Sequence, residues 1–282
     1  MRLWTVLLSE SLALGALGIS EGGVVHASTL TVCASGCSST TINGAVQAAT
    51  KGDTISIAPG TYHENVTLQG STSGPVVIDG GGSHTTVTVN SGITAVLADL
   101  TVTDGGSNNG PGGGIENLGY LTVNRDAIVN NRVTSGYDTR YGGGIANDTN
   151  GQLTVINSTI AGNQAVDGGG LWSNGGGDFV FITNSTIAGN VATYDGGGIG
   201  APANTVYVQN TIVADNQQTN GSHFDTDCNT VLKSNGNNLL GSTNGCSLAG
   251  GSNDQQTLIP SLVHCRTTAD RASAWLPRPS VR

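Results

Sequence analysis

The stretch Gly112-Gly-Gly-Ile115 recurs three more times in this 282-residue chain, as Gly142-Gly-Gly-Ile145, Gly168-Gly-Gly-Leu171 and Gly196-Gly-Gly-Ile199. The four copies start 30, 26 and 28 residues apart. A unit of this length is too small to bury its own apolar face, so successive units must stack on one another. The repeat therefore predicts a solenoid, whose pattern is clearest over residues 112–216.

Each glycine triplet is followed by a β-rich run and then by two asparagines six residues apart. The pairs are Asn124/Asn130, Asn157/Asn163, Asn184/Asn190 and Asn210/Asn216. Asparagine tolerates left-handed backbone geometry, and its amide both donates and accepts hydrogen bonds. We therefore expect two columns of stacked asparagines that satisfy the turns along the array.

The composition fits short strands joined by turns. The chain contains 44 Gly, and only 4% of its residues are aromatic and 10% charged. Runs such as Tyr120–Val123, Leu153–Ile156 and Phe179–Ile182 alternate with segments of Gly, Asn, Asp and Ser, as is typical of strands between turns. Equivalent positions of successive repeats are expected to stack about 4.8 Å apart.

A short helix is predicted over residues 40–50, before the repeats. The apolar residues of this segment fall at helical spacing: Ile42, Ala45, Val46 and Ala49. Such a helix would cap the first coil, whose core and strand edges would otherwise be exposed.

The N-terminus predicts export. Arg2 precedes an apolar stretch, and Val25-His26-Ala27 offers a cleavage site, so residues 1–27 are interpreted as a signal peptide. No later segment is long and apolar enough to span a bilayer. We therefore expect a secreted or cell-surface protein whose mature chain has no membrane span.

The cysteines agree with an oxidising compartment. Cys33 and Cys37 are predicted to form one disulfide, and Cys228 and Cys246 a second that brackets a Gly/Asn/Ser-rich segment. Cys265 is left over, and no cysteine spacing is that of a zinc finger.

The charge excludes a class of partner. Residues 28–265 contain five basic against 16 acidic residues, a net charge of −11. Such a body repels phosphate backbones, so nucleic acid is not an expected partner, whereas cations are attracted.

The opening Ile42-Asn-Gly-Ala-Val-Gln-Ala-Ala and Gly52-Asp-Thr-Ile-Ser-Ile-Ala-Pro-Gly-Thr-Tyr62 are similar to the start of many pectin-lyase-like domains. The Gly-Gly-Gly-Ile and Thr-Ile-Ala-Gly-Asn units resemble repeats of secreted bacterial β-helix proteins and of chlamydial polymorphic outer-membrane proteins. The resemblance covers about residues 40–248. It implies an all-β, right-handed parallel β-helix over residues 28–250, with a short N-terminal capping helix.

Residues 251–282 depart from this resemblance. Similar secreted proteins follow an Asn-Leu-Leu-Gly…Cys segment, present here as Asn238–Gly241 and Cys246, with Pro-Leu-Leu-Gly-Pro-Leu and Asp-Asn-Gly-Gly-Pro. Here Ile259-Pro-Ser-Leu262 leads into a basic run instead. Codons for Leu262–Arg271 exist that encode the family-like segment in a shifted frame. Our hypothesis is therefore an irregular tail produced by a frameshift near residue 262.

One column of the repeat could carry chemistry. Asp167 and Asp195 each precede a glycine triplet, one repeat apart, so stacking would bring their carboxylates within about 5 Å. Carboxylates this close share a proton, bind a cation such as calcium, or turn apart into water. Tyr141 holds the equivalent position one repeat earlier, beside Arg140.

Five more residues are candidate ligand contacts around this column: Arg132, Tyr137, Asp138, Trp172 and Tyr194. Acids, aromatic rings and an arginine on an exposed face are typical of a carbohydrate groove. The alternative interpretation is a solvated row of turn residues.

The resemblance implies lyase or hydrolase chemistry on an acidic polysaccharide. A lyase needs a base, together with calcium or arginine to neutralise the uronate carboxylate. Arg140, Asp167 and Asp195 are the candidate catalytic residues, and the two aspartates are also the candidate calcium ligands. The Gly-His-Gly and Arg-Ile-Lys motifs of polygalacturonase-like hydrolases are missing. The sequence thus predicts engagement of extracellular polysaccharide with cleavage undecided; the alternative is a non-catalytic adhesin or cell-wall structural module.

Overall fold

The structure is a computed structural model that describes ten segments of the chain. These are residues 28–33, 35–48, 54–57, 66–69, 76–107, 110–133, 141–148, 150–173, 179–220 and 227–256. The predicted signal peptide and the proposed frameshift near residue 262 lie outside the described residues, so both stay predictions.

One short helix, α1 (Ile42–Ala48), and 28 short strands form the regular structure of the described residues. The first strands are β1 (Thr29–Val32), β2 (Thr54–Ile57), β3 (Val66–Gln69), β4 (Val76–Asp79), β5 (Val87–Val89), β6 (Thr94–Ala98), β7 (Leu100–Thr103), β8 (Gly106–Ser107) and β9 (Ile115–Asn117). The central strands are β10 (Tyr120–Asn124), β11 (Ala127–Val129), β12 (Arg132–Val133), β13 (Ile145–Asn147), β14 (Gln152–Ile156), β15 (Thr159–Ala161), β16 (Gln164–Asp167), β17 (Leu171–Ser173), β18 (Phe179–Thr183), β19 (Thr186–Ala188), β20 (Val191–Asp195) and β21 (Ile199–Gly200). The last are β22 (Thr205–Gln209), β23 (Ile212–Ala214), β24 (Gln217–Gln218), β25 (Val231–Ser234), β26 (Leu239–Leu240), β27 (Ser247–Gly250) and β28 (Gln255–Gln256).

The strands stack into four long parallel sheets. Sheet 1 has the order β3-β6-β10-β14-β18-β22-β25-β27, and sheet 2 the order β4-β7-β11-β15-β19-β23-β26-β28. Sheet 3 has the order β8-β12-β16-β20-β24, and sheet 4 the order β5-β9-β13-β17-β21, while β1 and β2 pair separately. Each complete coil contributes one strand to each of sheets 1, 2, 3 and 4, in that order, before the next coil begins. The predicted all-β parallel β-solenoid is confirmed.

Equivalent apolar side chains stack inside the solenoid from coil to coil. In sheet 2, Ile128 pairs with Ile160 and Ile160 with Ile187, and in sheet 4, Ile145 pairs with Leu171. All five side chains are fully buried. Burying one such side chain stabilises the fold by roughly 1.5–3 kcal/mol. A one-residue slip would turn these side chains to the outside, so the apolar columns fix the register.

The glycine triplets form the turn from sheet 3 to sheet 4. The first glycine of a triplet has a left-handed backbone, with φ of 71° at Gly142. A Cβ at Gly144 would lie 2.6 Å from the carbonyl oxygen of Gly170 in the next coil, closer than real Cβ contacts. The coils therefore meet backbone to backbone at this turn, and a side chain would force them apart.

A buried asparagine ladder occupies the corner between sheets 2 and 3. Nδ2 of Asn131 donates to Oδ1 of Asn163 at 3.0 Å, Asn163 donates to Asn190 at 2.9 Å, and Asn190 donates to Asn216 at 2.9 Å. The backbone N–H of the first three donates to the same oxygens. These four residues are at most 1% exposed. The ladder thus satisfies polar groups that water cannot reach.

The predicted first member of the inner asparagine column was wrong by one residue, and that of the outer column joins its ladder out of register. The inner ladder contains Asn131 rather than Asn130. In the outer column the backbone position of Asn157 is matched by Arg125, because Asn124 pairs in register with Ile156. The amide oxygen of Asn124 still accepts a 3.5 Å hydrogen bond from Asn157. Both choices keep the six-residue spacing, so the spacing could not reveal the shift.

The outer asparagine column is exposed at the corner between sheets 1 and 2. Nδ2 of Asn184 donates to Oδ1 of Asn157 at 3.2 Å, and Asn210 donates to Asn184 at 2.7 Å. Asn157, Asn184 and Asn210 have left-handed φ values of 52°, 52° and 48°. At the start of the column, Arg125 forms a 2.6 Å ion pair with Asp99.

The helix, the last strands and the two disulfides lie toward the ends of the described solenoid. Helix α1 falls within the predicted residues 40–50, and its role as a cap stays a prediction. The strands continue to β28, past the predicted domain end at residue 250. Both predicted disulfides are present, Cys33–Cys37 and Cys228–Cys246, and they are compatible with an extracellular protein. Within the described segments, no helix has the length and apolarity to cross a membrane.

Two buried aspartates accept backbone hydrogen bonds. Asp227 continues the inner ladder: Oδ1 accepts from Nδ2 of Asn216 at 2.9 Å, and Oδ2 accepts from the N–H of Ser242 at 2.7 Å. Oδ1 of Asp126 accepts from the N–H of Leu100 at 2.7 Å. Burial raises the pKa of each carboxyl to about 6, and the hydrogen bonds only partly oppose that rise.

We expect Asn190→Ala to lower the free energy of unfolding by about 3–5 kcal/mol, because it leaves several buried donors and acceptors without partners. Urea unfolding followed by circular dichroism measures this change. The matched control is Asn184→Gly in the same coil, which loses two exposed hydrogen bonds, keeps the left-handed backbone and should cost less than about 1 kcal/mol. Equal losses for both variants would contradict a stabilising role specific to the inner ladder.

We expect the protein to be more stable at pH 5 than at pH 7.5. The pKa values of Asp126 and Asp227 are raised from 3.8 to about 6 in the folded state. The stability that their protonation provides is therefore complete below pH 3.8 and is lost as the pH rises through 6. Each site should contribute about 1 kcal/mol to the difference between pH 5 and pH 7.5.

Urea unfolding at several pH values tests this expectation. Asp227→Asn cannot titrate, so it should show a smaller change in unfolding free energy between the two pH values than the unsubstituted chain. An identical pH dependence in both proteins would show that Asp227 has an ordinary pKa.

Candidate functional site

The column of Tyr141, Asp167 and Asp195 is present, and we term it the acidic corner. Asp167 ends β16 and pairs with Asp195, which ends β20. Tyr141 pairs with Asp167 through an isolated bridge. Each residue directly precedes a glycine triplet, so the three occupy the same corner, between sheets 3 and 4, in successive coils.

The two carboxylates of the acidic corner are not equivalent. Oδ1 of Asp167 accepts a 3.2 Å hydrogen bond from the backbone N–H of Asp195. Asp167 is half-buried, whereas Asp195 is exposed. Burial raises the pKa of Asp167, the hydrogen bond lowers it, and the negative charge of Asp195 raises it again. One carboxylate oxygen is therefore already used within the fold.

The aromatic rings beside the acidic corner pack against the protein. Trp172 is only 7% exposed, and its ring centroid lies 5.5 Å from that of Tyr141. The ring of Trp172 fills the space that a Cβ at Gly200 would need. The Tyr141 hydroxyl donates to Oδ2 of Asp148 at 3.2 Å, and burial, with the nearby charge of Asp148, raises the pKa of Tyr141 to about 12. Little of either ring is left for a ligand.

Of the other predicted site residues, Arg132 lies away from this cluster and Tyr194 lies beside it. Arg132 is exposed and pairs with Gln164, at the opposite end of β16 from Asp167. Tyr194 is 51% exposed next to Asp195. The last three predicted residues lie outside the described part of the chain: Tyr137, Asp138 and Arg140.

A calcium site at the acidic corner stays a prediction. Across the described segments, no group of three or more His, Cys, Asp or Glu side chains is arranged to hold a metal ion. Calcium takes 6–8 oxygen ligands in proteins. Asp167 and Asp195 supply only part of such a set, so water or a bound ligand would have to supply the rest.

Large aromatic side chains are exposed on the outer side of sheet 1, where the sequence analysis placed no site. Tyr120, Phe179 and Phe181 are 55%, 47% and 42% exposed. Phe181 pairs with Tyr207 in the next coil, and their rings stack with centroids 5.0 Å apart. We term these four residues the aromatic face.

The surroundings of the aromatic face carry almost no charge. Along strands β10, β14, β18, β22 and β25, the outward positions include one base, Lys233, and no acid. The whole chain has a net charge of −9. This part of sheet 1 is therefore an aromatic surface on an acidic protein, and its single charge is that of Lys233, which pairs with Tyr207.

The sequence did contain a signal for this face. Val180 and Ile182 align with the buried Leu153 and Val155 of the preceding coil. Side chains of a strand alternate between its two sides, so the phenylalanines in Phe179–Ile182 must point outward. The alternation within this run therefore indicates an exposed aromatic pair as well as a strand.

A groove follows the exposed asparagine column at the corner between sheets 1 and 2, and we term it the asparagine groove. Its lining contains no charged side chain. The lining residues are Asn184, Ser185, Thr186, Asn210, Ile212, Asn237, Asn238, Leu239, Asn253 and Gln255.

Comparison with known proteins gave no match to a family model, a curated protein or a solved structure. The resemblance to the pectin-lyase-like superfamily therefore stays a prediction.

We expect Asp195→Asn to lower the pKa of Asp167. The substitution removes a nearby negative charge and keeps the backbone N–H that donates a hydrogen bond to Asp167. Side-chain carboxyl NMR titration measures this pKa. Asp79→Asn, which removes an exposed carboxylate in sheet 2, is the control and should leave the pKa of Asp167 unchanged. The same pKa in all three proteins would show that the two stacked carboxylates do not interact.

Proposed function

We propose that this protein is exported and binds an extracellular polysaccharide along the side of its solenoid, through the aromatic face. The observation that carries this proposal is the exposure of Tyr120, Phe179 and Phe181. The chain has only three phenylalanines, and two of them lie here in water instead of in the core. Exposed aromatic surface of this kind marks an interaction site.

Aromatic rings suit sugars for an electrostatic and a geometric reason. The face of an aromatic ring is negative, and the C–H bonds on the face of a pyranose ring are weakly positive. Stacked parallel strands also repeat their side chains about every 4.8 Å. A long polysaccharide can therefore contact several coils at once, and several weak contacts add up to useful affinity.

Two observations support an extracellular setting. The disulfides Cys33–Cys37 and Cys228–Cys246 suit an oxidising compartment. The sequence of residues 1–27 has the pattern of a secretory signal peptide.

Binding is a better-supported proposal than cleavage. A general acid or base has to reach the proton that it transfers. In the acidic corner, Oδ1 of Asp167 accepts from Asp195, and the hydroxyl of Tyr141 donates to Asp148. Both groups already have partners within the fold, so we assign the acidic corner no catalytic step.

Sedimentation of the full chain with insoluble neutral and uronate-containing polysaccharides, with and without calcium, tests the proposal. We expect Phe179→Ala combined with Phe181→Ala to weaken binding about tenfold, because each ring contributes about 0.5–1.5 kcal/mol. The matched control is Tyr194→Ala, which removes an equally exposed ring from sheet 3 and should bind normally. Circular dichroism confirms that each variant is folded.

Other outcomes would replace the proposal. Shortened polysaccharide chains with new unsaturated ends would show that the protein is a lyase. Asp167→Asn combined with Asp195→Asn would then test whether the acidic corner is required for cleavage. No binding across the panel would favour a surface adhesin or a cell-wall structural module, in which the repeats serve as a rigid spacer.

A further inference from the structure

The exposed asparagine column is interrupted inside the asparagine groove. Asn210 donates to Asn184 at 2.7 Å, and Asn253 donates to Asn237 at 3.3 Å. Among the described residues, Nδ2 of Asn237 does not donate to Oδ1 of Asn210, which breaks the sequence of hydrogen bonds. Oδ1 of Asn210 and Nδ2 of Asn237, two residues that line the groove, are thus left without this hydrogen bond.

One extra residue causes the interruption. Val208 pairs with Ser234 and Ile212 with Leu239, so the segment after Ser234 is one residue longer than its counterpart in the preceding coil. Gly236, within this segment, takes a left-handed φ of 105°. An inserted residue bends a strand and disrupts its pairing locally. The backbone N–H of Asn210 still donates to the carbonyl oxygen of Gly236 at 3.0 Å, but the two side-chain amides do not bond to each other.

The rest of the groove is apolar or neutral. Ile212 is 37% exposed, and Leu239 is partly exposed beside it. The groove is open and has a volume of about 610 Å³, within the roughly 300–1,000 Å³ of small-ligand sites. It therefore combines two partly exposed apolar side chains with an unpaired amide oxygen, an unpaired amide N–H and no charge.

We propose that the asparagine groove binds a short stretch of a neutral polysaccharide, which names the ligand class and therefore rests on the function proposed above. A sugar hydroxyl both donates and accepts hydrogen bonds, so neighbouring hydroxyls can pair with Oδ1 of Asn210 and Nδ2 of Asn237. The C–H face of the same ring would lie on Ile212 and Leu239. An amide pair in the same groove as two apolar side chains thus matches both surfaces of a pyranose.

The charge distribution favours a neutral ligand over a uronate. The groove supplies no cation, so a bound carboxylate would lose water without gaining a charged partner. The chain as a whole carries a net charge of −9, which repels an anionic polysaccharide. The acidic polysaccharide expected from the family resemblance is therefore the less favourable ligand for this groove.

Isothermal titration of the full chain with cellohexaose, xylohexaose, maltohexaose and hexagalacturonate tests the inference. We expect at least one neutral hexasaccharide to bind with a Kd that does not change in 0.5 M salt. We also expect Asn210→Gly combined with Asn237→Gly to weaken that binding at least tenfold. Glycine keeps the left-handed backbone at both positions. The matched control, Asn157→Gly, lies in the same column outside the groove and should bind normally.

The outcomes separate this inference from the proposed function. Unchanged hexasaccharide binding in the Asn210/Asn237 variant would show that the groove is not the binding site. The proposed polysaccharide binding would still be supported if the Phe179/Phe181 variant binds polysaccharide more weakly. Binding of hexagalacturonate alone overturns the neutral ligand class and leaves polysaccharide binding intact. Binding of no saccharide in either assay overturns both.

Discussion

Each coil of this solenoid depends on the backbone hydrogen bonds that it makes with the parallel coils on either side. These bonds set a spacing of about 4.8 Å, at which every repeated side chain must tolerate its own copy. Stacked isoleucines such as Ile128, Ile160 and Ile187 gain contact, and stacked amides gain hydrogen bonds. Glycine lets the backbones meet directly. The residue types that recur in the sequence are those whose stacking at this spacing stabilises the fold.

The same spacing explains where the acids lie. A carboxylate can accept hydrogen bonds but has no N–H to donate, so it cannot replace an asparagine inside an amide ladder. Asp227 accordingly accepts from Asn216 at the point where the ladder reaches its last amide. Asp167 and Asp195 do stack, but one is exposed and the other uses its oxygen to accept a backbone N–H. Their proximity is consistent with a structural arrangement at a turn.

The repeat predicted the fold and most of the stacked columns, because a fixed period is visible without coordinates. It did not predict which coil carries an additional residue. The longer segment after Ser234 lies beyond the clearest repeats, so the break between Asn210 and Asn237 could not be foreseen. The burial of Trp172 depends on the missing side chain of Gly200 one coil away, and only the register reveals that relationship.

Inward positions fix the register, and outward positions are therefore free to form binding surfaces. Tyr207 of the aromatic face and Asn210 of the asparagine groove are three residues apart, which spans at most about 11 Å. One polysaccharide chain could contact both surfaces at the same corner of the solenoid. The acidic corner lies between sheets 3 and 4, away from this side. A neutral glycan bound as proposed would lie on one side of the solenoid, away from the stacked carboxylates, and an anionic glycan would gain no cation in the proposed groove.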